Sequence, residues 1–415
     1  MLFEYQCRKG TKLERISMSD TQDQVEDQKL QDDKELLDDN QAEEKQKSEQ
    51  ASEKKRGASG DTSVKLGEYE IDSRERLEHY DSGVIPAYQA GKKRGQGNYI
   101  AYVSEPHLVP RHNKVEVYQG IINPNLAKLV RYGAVHWPSV KQERYAFIYE
   151  NNLGSKLIQD DQEQALGFKN DIVMERILKP FSGILQDFRD RDFVHGSIRA
   201  SNIYNGGSSN LKRIMLGDCL STPSGYNQNA QYEPIDRAMA DPVARGPGTR
   251  ATDMYAFGVM LAVMLRQNDP MHGMSDDAII RRKIDVGSYA AVTGKDRFTG
   301  PILELLRGLL HDDPTQRWTI DETLAWMDGR RLSPKQAVRK IVAPRPIVFH
   351  QKKYFQPKLL AMDFDKNPGE VKRILEDGEL KNWINRAIER PELYEKIESY
   401  ADLLKNSGQV SDYDD

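Results

Sequence analysis

Residues 195–203 read HGSIRASNI, and this polar run between two apolar segments decides the fold. Upstream, Phe181, Ile184, Leu185, Phe188 and Phe193 are spaced as a helix that ends in a turn. Downstream, a polar gap over 205–210 leads to Ile214, Met215 and Leu216, a short strand that runs into Gly217, Asp218 and Cys219. A helix, a polar loop and a short hairpin in that order bring Asn202 and Asp218 close together in space.

Composition narrows the class. A chain of 415 residues holds one large or two medium domains. A formal net charge of -4 gives no electrostatic footprint for nucleic acid. Two cysteines, Cys7 and Cys219, cannot build a disulfide framework, which points to a reducing setting. The longest apolar run, 256–265, is about half a membrane span, and the N-terminus has no apolar signal core. A soluble, cytoplasmic protein is expected. Residues 18–67 are rich in Gln, Asp, Glu, Lys and Ser and too poor in apolar side chains to offset the entropy of ordering, so 1–67 is expected to be a disordered, charged tether.

The stretch 195–203 followed by 217–220 resembles the catalytic and metal-binding loops of protein kinases, in which H-R-D-x-K-x-x-N precedes D-F-G. The resemblance places Asn202 and Asp218 at the two metal-binding positions and His195 at the head of the loop. Ser197 stands where the family has the Asp that accepts the substrate proton, and a serine hydroxyl is no base at neutral pH. Arg199 replaces the family's Lys and offers a planar fork instead of a point charge. A retained metal pair with a lost base is the pattern of a pseudokinase.

Two further motifs follow in the order the family requires. Residues 252–259, TDMYAFGV, resemble the start of the kinase helix whose Asp accepts hydrogen bonds from the catalytic-loop backbone, which makes Asp253 a structural anchor. Residues 313–319, DPTQRWT, match D-P-x-x-R-x-T, and the resemblance makes Arg317 the buried ion-pair partner of an acid at the end of the 221–250 segment, where Glu233, Asp236 and Asp241 compete. Residues 122–135, INPNLAKLVRYGAV, resemble the kinase junction between the N-lobe helix and its fourth strand. That helix is read over 112–122, with Val115, Tyr118 and Ile122 on one face and Glu116 as its nearest acid. Residues 144–150 read as a strand ending at the hinge, with Tyr149 and Glu150 beside the adenine position.

The first half departs further. Gly91, Gly95 and Gly97 precede a strand over 98–103 but are spaced as a turn, not as a phosphate-covering loop. With Ala101 as the alanine of V-A-x-K, the nucleotide-pairing Lys position falls on Val103. Lys92, Lys93 and Lys114 are the nearby substitutes.

The implied fold is α+β and two-lobed, protein-kinase-like, over 68–331, with a β-rich N-lobe (68–150), a helical C-lobe (151–331) and a linker and helical extension over 332–415. Periodicity alone gives a mixed α+β domain followed by helices. In the extension, helices are read over 369–376, 380–389 and 391–405. Asp363 opens a run that imitates a calcium loop but has Pro368 and Ile374 where glycine and glutamate belong.

Three functions compete. The first is a pseudokinase that regulates or scaffolds a protein partner, with weak binding of ATP and Mg2+. The second is an active atypical kinase or other nucleotide-dependent transferase, with Arg199 on phosphate, Asp187 or Asp192 as base and Lys92 or Lys93 over the nucleotide. The third is an adaptor that uses no nucleotide.

Overall fold

The structure is a computed structural model that describes residues 63–406 except 95, 160–163, 209, 333–339 and 365. The tether reading of the N-terminal segment therefore falls, up to residue 62, outside the described residues, as do Gly95 and the far C-terminus.

The first layer is a six-stranded antiparallel sheet, in the order β1-β2-β3-β4-β6-β5. Its strands are β1 (Ser63–Leu66), β2 (Tyr69–Arg76), β3 (Ala87–Lys92), β4 (Tyr99–Val103), β5 (Leu129–Trp137) and β6 (Gln142–Glu150). β1 corrects the expected boundary at 67, because Val64 and Leu66 alternate into the sheet core. Averaging over the long polar stretch before it hides so short an alternation.

Pleating gives β4 two faces. Ala101 and Val103 join Val64, Ile71, Val135 and Trp137 on the outer face, whereas Ile100 and Tyr102 face the main core with Phe147 and Tyr149. The inward position on this strand is thus Tyr102 and not Val103. A slip of one residue in reading the strand exchanges its faces. Between β4 and β5, the helix expected over 112–122 shrinks to α1 (Val115–Gln119), preceded by a single 3-10 turn at His112–Lys114. Ile122 is 93% exposed and it is Ile121 that packs inward, so the expected face fails at its last member.

The second layer is helical. A helix over 170–190 contains a π-helical turn at Val173–Leu178 and continues as α2 (Lys179–Asp190), which buries Phe181, Ile184, Leu185 and Phe188 as expected. The hairpin β7 (Ile203–Tyr204) and β8 (Met215–Leu216) follows, then α3 (Ile235–Ala238). α4 (Arg250–Leu265) is buried on nearly every side after its first turn and is the hub of this lobe. Thr249 and Thr252 cap its start reciprocally. Around it pack α5 (Asp276–Val286), α6 (Ser288–Thr293), α7 (Gly300–Leu309) and α8 (Ile320–Met327).

The C-terminal extension has its own small core. Besides the helices expected near its end it contains the three-residue strands β9 (Ile347–Phe349) and β10 (Lys352–Tyr354) and α9 (Pro357–Phe364). α10 (Pro368–Glu376), α11 (Glu379–Trp383) and α12 (Pro391–Asn406) complete it around Phe349, Ile374 and Trp383. Asp363 lies on α9 and meets Arg281 of α5 at 2.5 Å, with the Tyr354 hydroxyl on its other oxygen. It is an anchor for the extension. Lys358 reaches Asp236 at 2.5 Å, a second tie to the helical lobe.

Candidate functional site

The loop after α2 is held from beneath. Asp253, in the first turn of α4, accepts hydrogen bonds from the backbone N–H of His195 at 2.6 Å and of Gly196 at 2.8 Å. Gly196 has φ +64°, and a Cβ there would sit 2.0 Å from Ser224 Oγ, so only glycine makes this turn. Burial raises Asp253 to about 6 in spite of its two N–H donors. Asn202 then closes the loop from above: its Nδ2 donates to the carbonyls of Ser197 and Asp218, both at 2.9 Å. The anchoring expected of Asp253 and the approach of Asn202 to Asp218 are both present, beneath a β lobe and on a helical one.

This is a protein-kinase-like fold. No family model matches the chain. Among curated proteins it is similar to an Aurora kinase of Eremothecium gossypii, 22% identical over 206 residues that make up 50% of this chain and 52% of that protein. The chain thus spans about half the length of that protein. Among solved structures it is similar to a crystal structure of Rad53 1–466 in complex with AMP-PNP, with a TM-score of 0.46 and 16% identity over 62% of this chain and 64% of that one.

Within the kinase-like cleft, each expected residue has a definite partner. His195 is fully buried; its Nε2 lies 3.3 Å from the Gly217 carbonyl and its ring stacks near Phe188. Burial, aided by the Arg111 charge, holds its pKa well below the ordinary value, so it is neutral at pH 7. Ser197 Oγ accepts from Arg199 at 2.6 Å. The rest of the Arg199 fork reaches Ser201 Oγ at 3.0 Å and Ser82 Oγ at 3.2 Å. The guanidinium expected on phosphate is therefore spread over three hydroxyls of the chain itself.

Asp218 is 2% exposed and turned inward. Its Oδ1 accepts from the Tyr149 hydroxyl at 2.6 Å and from Leu220 N at 3.0 Å. Its Oδ2 accepts from Ser221 N at 3.3 Å and from the Ser221 hydroxyl. A carboxylate has about four lone-pair sites, and these four donors take them. Asn202 Oδ1 is buried without a hydrogen-bond partner among the described residues, but it lies against Gly217, where an added Cβ would be 2.3 Å away. One orphaned amide oxygen beside a saturated carboxylate is not a coordination sphere. Among the described residues there is no group of three His, Cys, Asp or Glu side chains that could hold a metal.

The adenine side is closed in the same way. Tyr149 is fully buried and gives its hydroxyl to Asp218, while Glu150 meets Lys128 at 2.6 Å on the surface. The backbone N–H groups of Glu150, Asn151 and Asn152 donate to Lys128 O, Asn98 O and Glu150 O at 2.9–3.0 Å. Backbone groups that would meet an adenine ring are thus engaged within the chain. Tyr102 occupies the inward position on β4, its ring 5.7 Å from that of Tyr149. Among the described residues the side-chain hydrogen-bond partners of Asp218 are Tyr149 and Ser221, and none is a lysine. Lys92 and Lys93 pair with Glu68 and Glu70 at 3.3 and 3.8 Å, at the other end of the β2–β3 hairpin from 77–86.

The loop 77–86 joins β2 to β3. Gly91 belongs to β3 and pairs with Glu70. Tyr80 of this loop packs its ring 5.9 Å from Tyr204. Lys156 Nζ donates to Asp81 O at 2.6 Å and Asn227 Nδ2 to Ser82 O at 2.7 Å. The loop is pinned onto 195–203 and onto the 221–250 segment. A magnesium–nucleotide does not fit the residues as they are arranged.

Sequence reasoning missed Arg111. It donates to the carbonyls of Val194 at 2.5 Å, His195 at 2.6 Å and Cys219 at 3.2 Å, and its guanidinium lies 5.3 Å from the Phe193 ring centre. It thus ties the segment before α1 to both functional loops, and no motif marks it. The acids proposed as replacement bases lie elsewhere: Asp187 accepts from Asn123 Nδ2 at 2.6 Å, and the Asp192 side chain is 90% exposed beside Arg250.

Arg317 also departs from its expected role. It is buried, but it donates to the carbonyls of His311 and Ala251 at 2.8–3.0 Å, and among the described residues it makes no ion pair. Glu233 is the buried acid at the end of the segment, and Arg237, one helical turn on, meets it at 2.7 Å. A local partner at i+4 costs less to order than a distant one. Lys283 fills the space below: its Nζ donates to the carbonyls of Ala230 and Glu233 and lies 4.8 Å from the Tyr255 ring centre. Burial lowers Lys283 to about 7, against attraction from Asp312 and Glu233. A neutral amine still supplies two N–H donors, which matches the two carbonyls. Between about 7 and 10.5 the unfolded chain binds this proton and the folded one does not, so stability rises with pH across that window. Urea midpoints at pH 7 and pH 9 should show this rise in the wild type, by at most about 1.4 kcal/mol per pH unit, and Lys283→Met should flatten it.

Proposed function

We propose that this protein is a pseudokinase: a kinase-like body that does not transfer phosphate and acts by presenting its surface to a protein partner, without a nucleotide. The observation that carries this reading is the saturation of Asp218. A metal ligand needs lone pairs directed at the ion, and here four internal donors hold them. Ser197 adds to it, because loss of a general base removes roughly 10²–10⁴-fold in rate. Phosphoryl transfer otherwise depends on positioning and charge neutralisation, which the hydroxyl-bound Arg199 does not offer. A cytoplasmic location belongs to the same proposal. It accords with the described residues, among which no helix is long and apolar enough to cross a membrane.

Transfer of labelled γ-phosphate to the chain itself or to generic protein substrates tests the reading. No incorporation is expected in the wild type, nor in Ser197→Asp, since restoring a base leaves the metal and nucleotide positions closed. Incorporation that Asp218→Ala abolishes would overturn it.

A further inference from the structure

The outward side of the C-terminal extension is apolar and basic at once. Residues 340–358 include Lys340, Arg345, Lys352, Lys353 and Lys358 and no Asp or Glu. In β9 and β10 the pleat sends Ile347, Phe349 and Tyr354 into the small core and leaves Val348 outward, opposite Lys353 in the register. Phe355, two residues beyond Lys353, continues the outward side. The Ala343 N–H donates to Phe355 O at 2.7 Å, which brings Ile341 and Val342 to the same hairpin. Ile341, Val342, Val348 and Phe355 are 37–55% exposed, although the solvent side of a hairpin is ordinarily polar. Lys340, Arg345 and Lys353 are exposed and make no ion pair among the described residues. Lys352 meets Asp363 only at 3.9 Å and keeps its side chain 67% exposed. The acids beside the hairpin are already engaged: Asp363 by Arg281 and the Tyr354 hydroxyl, and Glu370 by the His350 N–H.

We infer that this face is a docking surface for an anionic lipid bilayer, with Val348 and Phe355 entering the headgroup region and Arg345, Lys352 and Lys353 on the lipid anions. Exposed apolar side chains gathered in one patch mark an interaction surface. An acidic polypeptide would pair with the lysines and leave the outward valine and phenylalanine uncovered. A bilayer interface takes apolar and basic side chains together and needs no groove to do so. Lys358, turned to Asp236 of the helical lobe, stays out of the contact. The surface does not depend on the pseudokinase reading, and an active enzyme would carry it equally.

Co-sedimentation of the full chain with vesicles tests this, using phosphatidylcholine alone and phosphatidylcholine mixed equally with phosphatidylserine. The mixed vesicles should carry the protein down, the neutral ones should not, and high salt should release it. Arg345→Gln with Lys353→Gln should weaken binding about tenfold or more. Val348→Thr with Phe355→Ser should weaken it severalfold. Both variants change outward side chains and should keep the wild-type urea midpoint. Failure to bind the mixed vesicles, equal binding to neutral ones, or release by free phosphoserine at constant ionic strength would each overturn the assignment. So would unchanged binding by either variant. Polyglutamate that binds as tightly as the vesicles, with the Val348→Thr and Phe355→Ser changes having no effect, would place an acidic polypeptide there instead.

Discussion

Asp253→Ala lowers the stability of the domain by about 2–4 kcal/mol, read as a shift in the urea midpoint with an unchanged slope. The carboxylate satisfies two backbone N–H groups that no water reaches, at 2.6 and 2.8 Å. Each orphaned donor costs about 1–3 kcal/mol, and relief of the buried carboxylate's own desolvation offsets part of the sum. The pH dependence carries a second signature. Asp253 is raised from 3.8 to about 6, so between those values the folded state binds a proton that the unfolded state has released. Through this group, stability falls as pH rises across that window, and the alanine variant loses that slope. A midpoint within error of the wild type would remove the anchor on which the placement of 195–203 rests.

Asp218→Ala is the second large effect, and its sign separates two roles. A residue kept for chemistry is commonly a burden on the fold, so its removal is neutral or stabilising. Here removal leaves the buried Tyr149 hydroxyl, Leu220 N and Ser221 without their acceptor. A loss of about 2–4 kcal/mol is expected by calorimetry or urea denaturation. Tyr149→Phe should reproduce part of that loss, since it deletes one of the donors. A melting temperature that rises in Asp218→Ala would show that the carboxylate is held for something other than structure.

Much of the helical lobe was legible because its signals are local. HGSIRASNI, the buried Asp at the head of an apolar helix, and Thr319 with Glu322 capping α8 are each contained within a few residues. The core helices needed only spacing. What the sequence hid depends on direction. Asn202 and Asp218 do meet, yet nothing in either motif tells whether a carboxylate points at solvent or at a tyrosine on a distant strand. That choice is made by Tyr149, whose hydroxyl reaches Asp218 only because β6 lies beside β4 and over the loop. The face of β4 turned on a single residue, Tyr102 in place of Val103. Arg111 and Ser82 carry no motif, and their partners are remote in the chain. Arg317 kept its place and burial but not its partner, because Arg237 is one turn from Glu233.

Whether the cleft accepts a nucleotide is measured most directly by a thermal-shift titration with ATP and magnesium. Ligand at a hundred times its dissociation constant would stabilise the fold by about 2.7 kcal/mol, well within detection. No saturable shift is expected at millimolar ATP, with or without magnesium. A saturable, magnesium-dependent rise in melting temperature that Asp218→Ala removes would contradict this expectation.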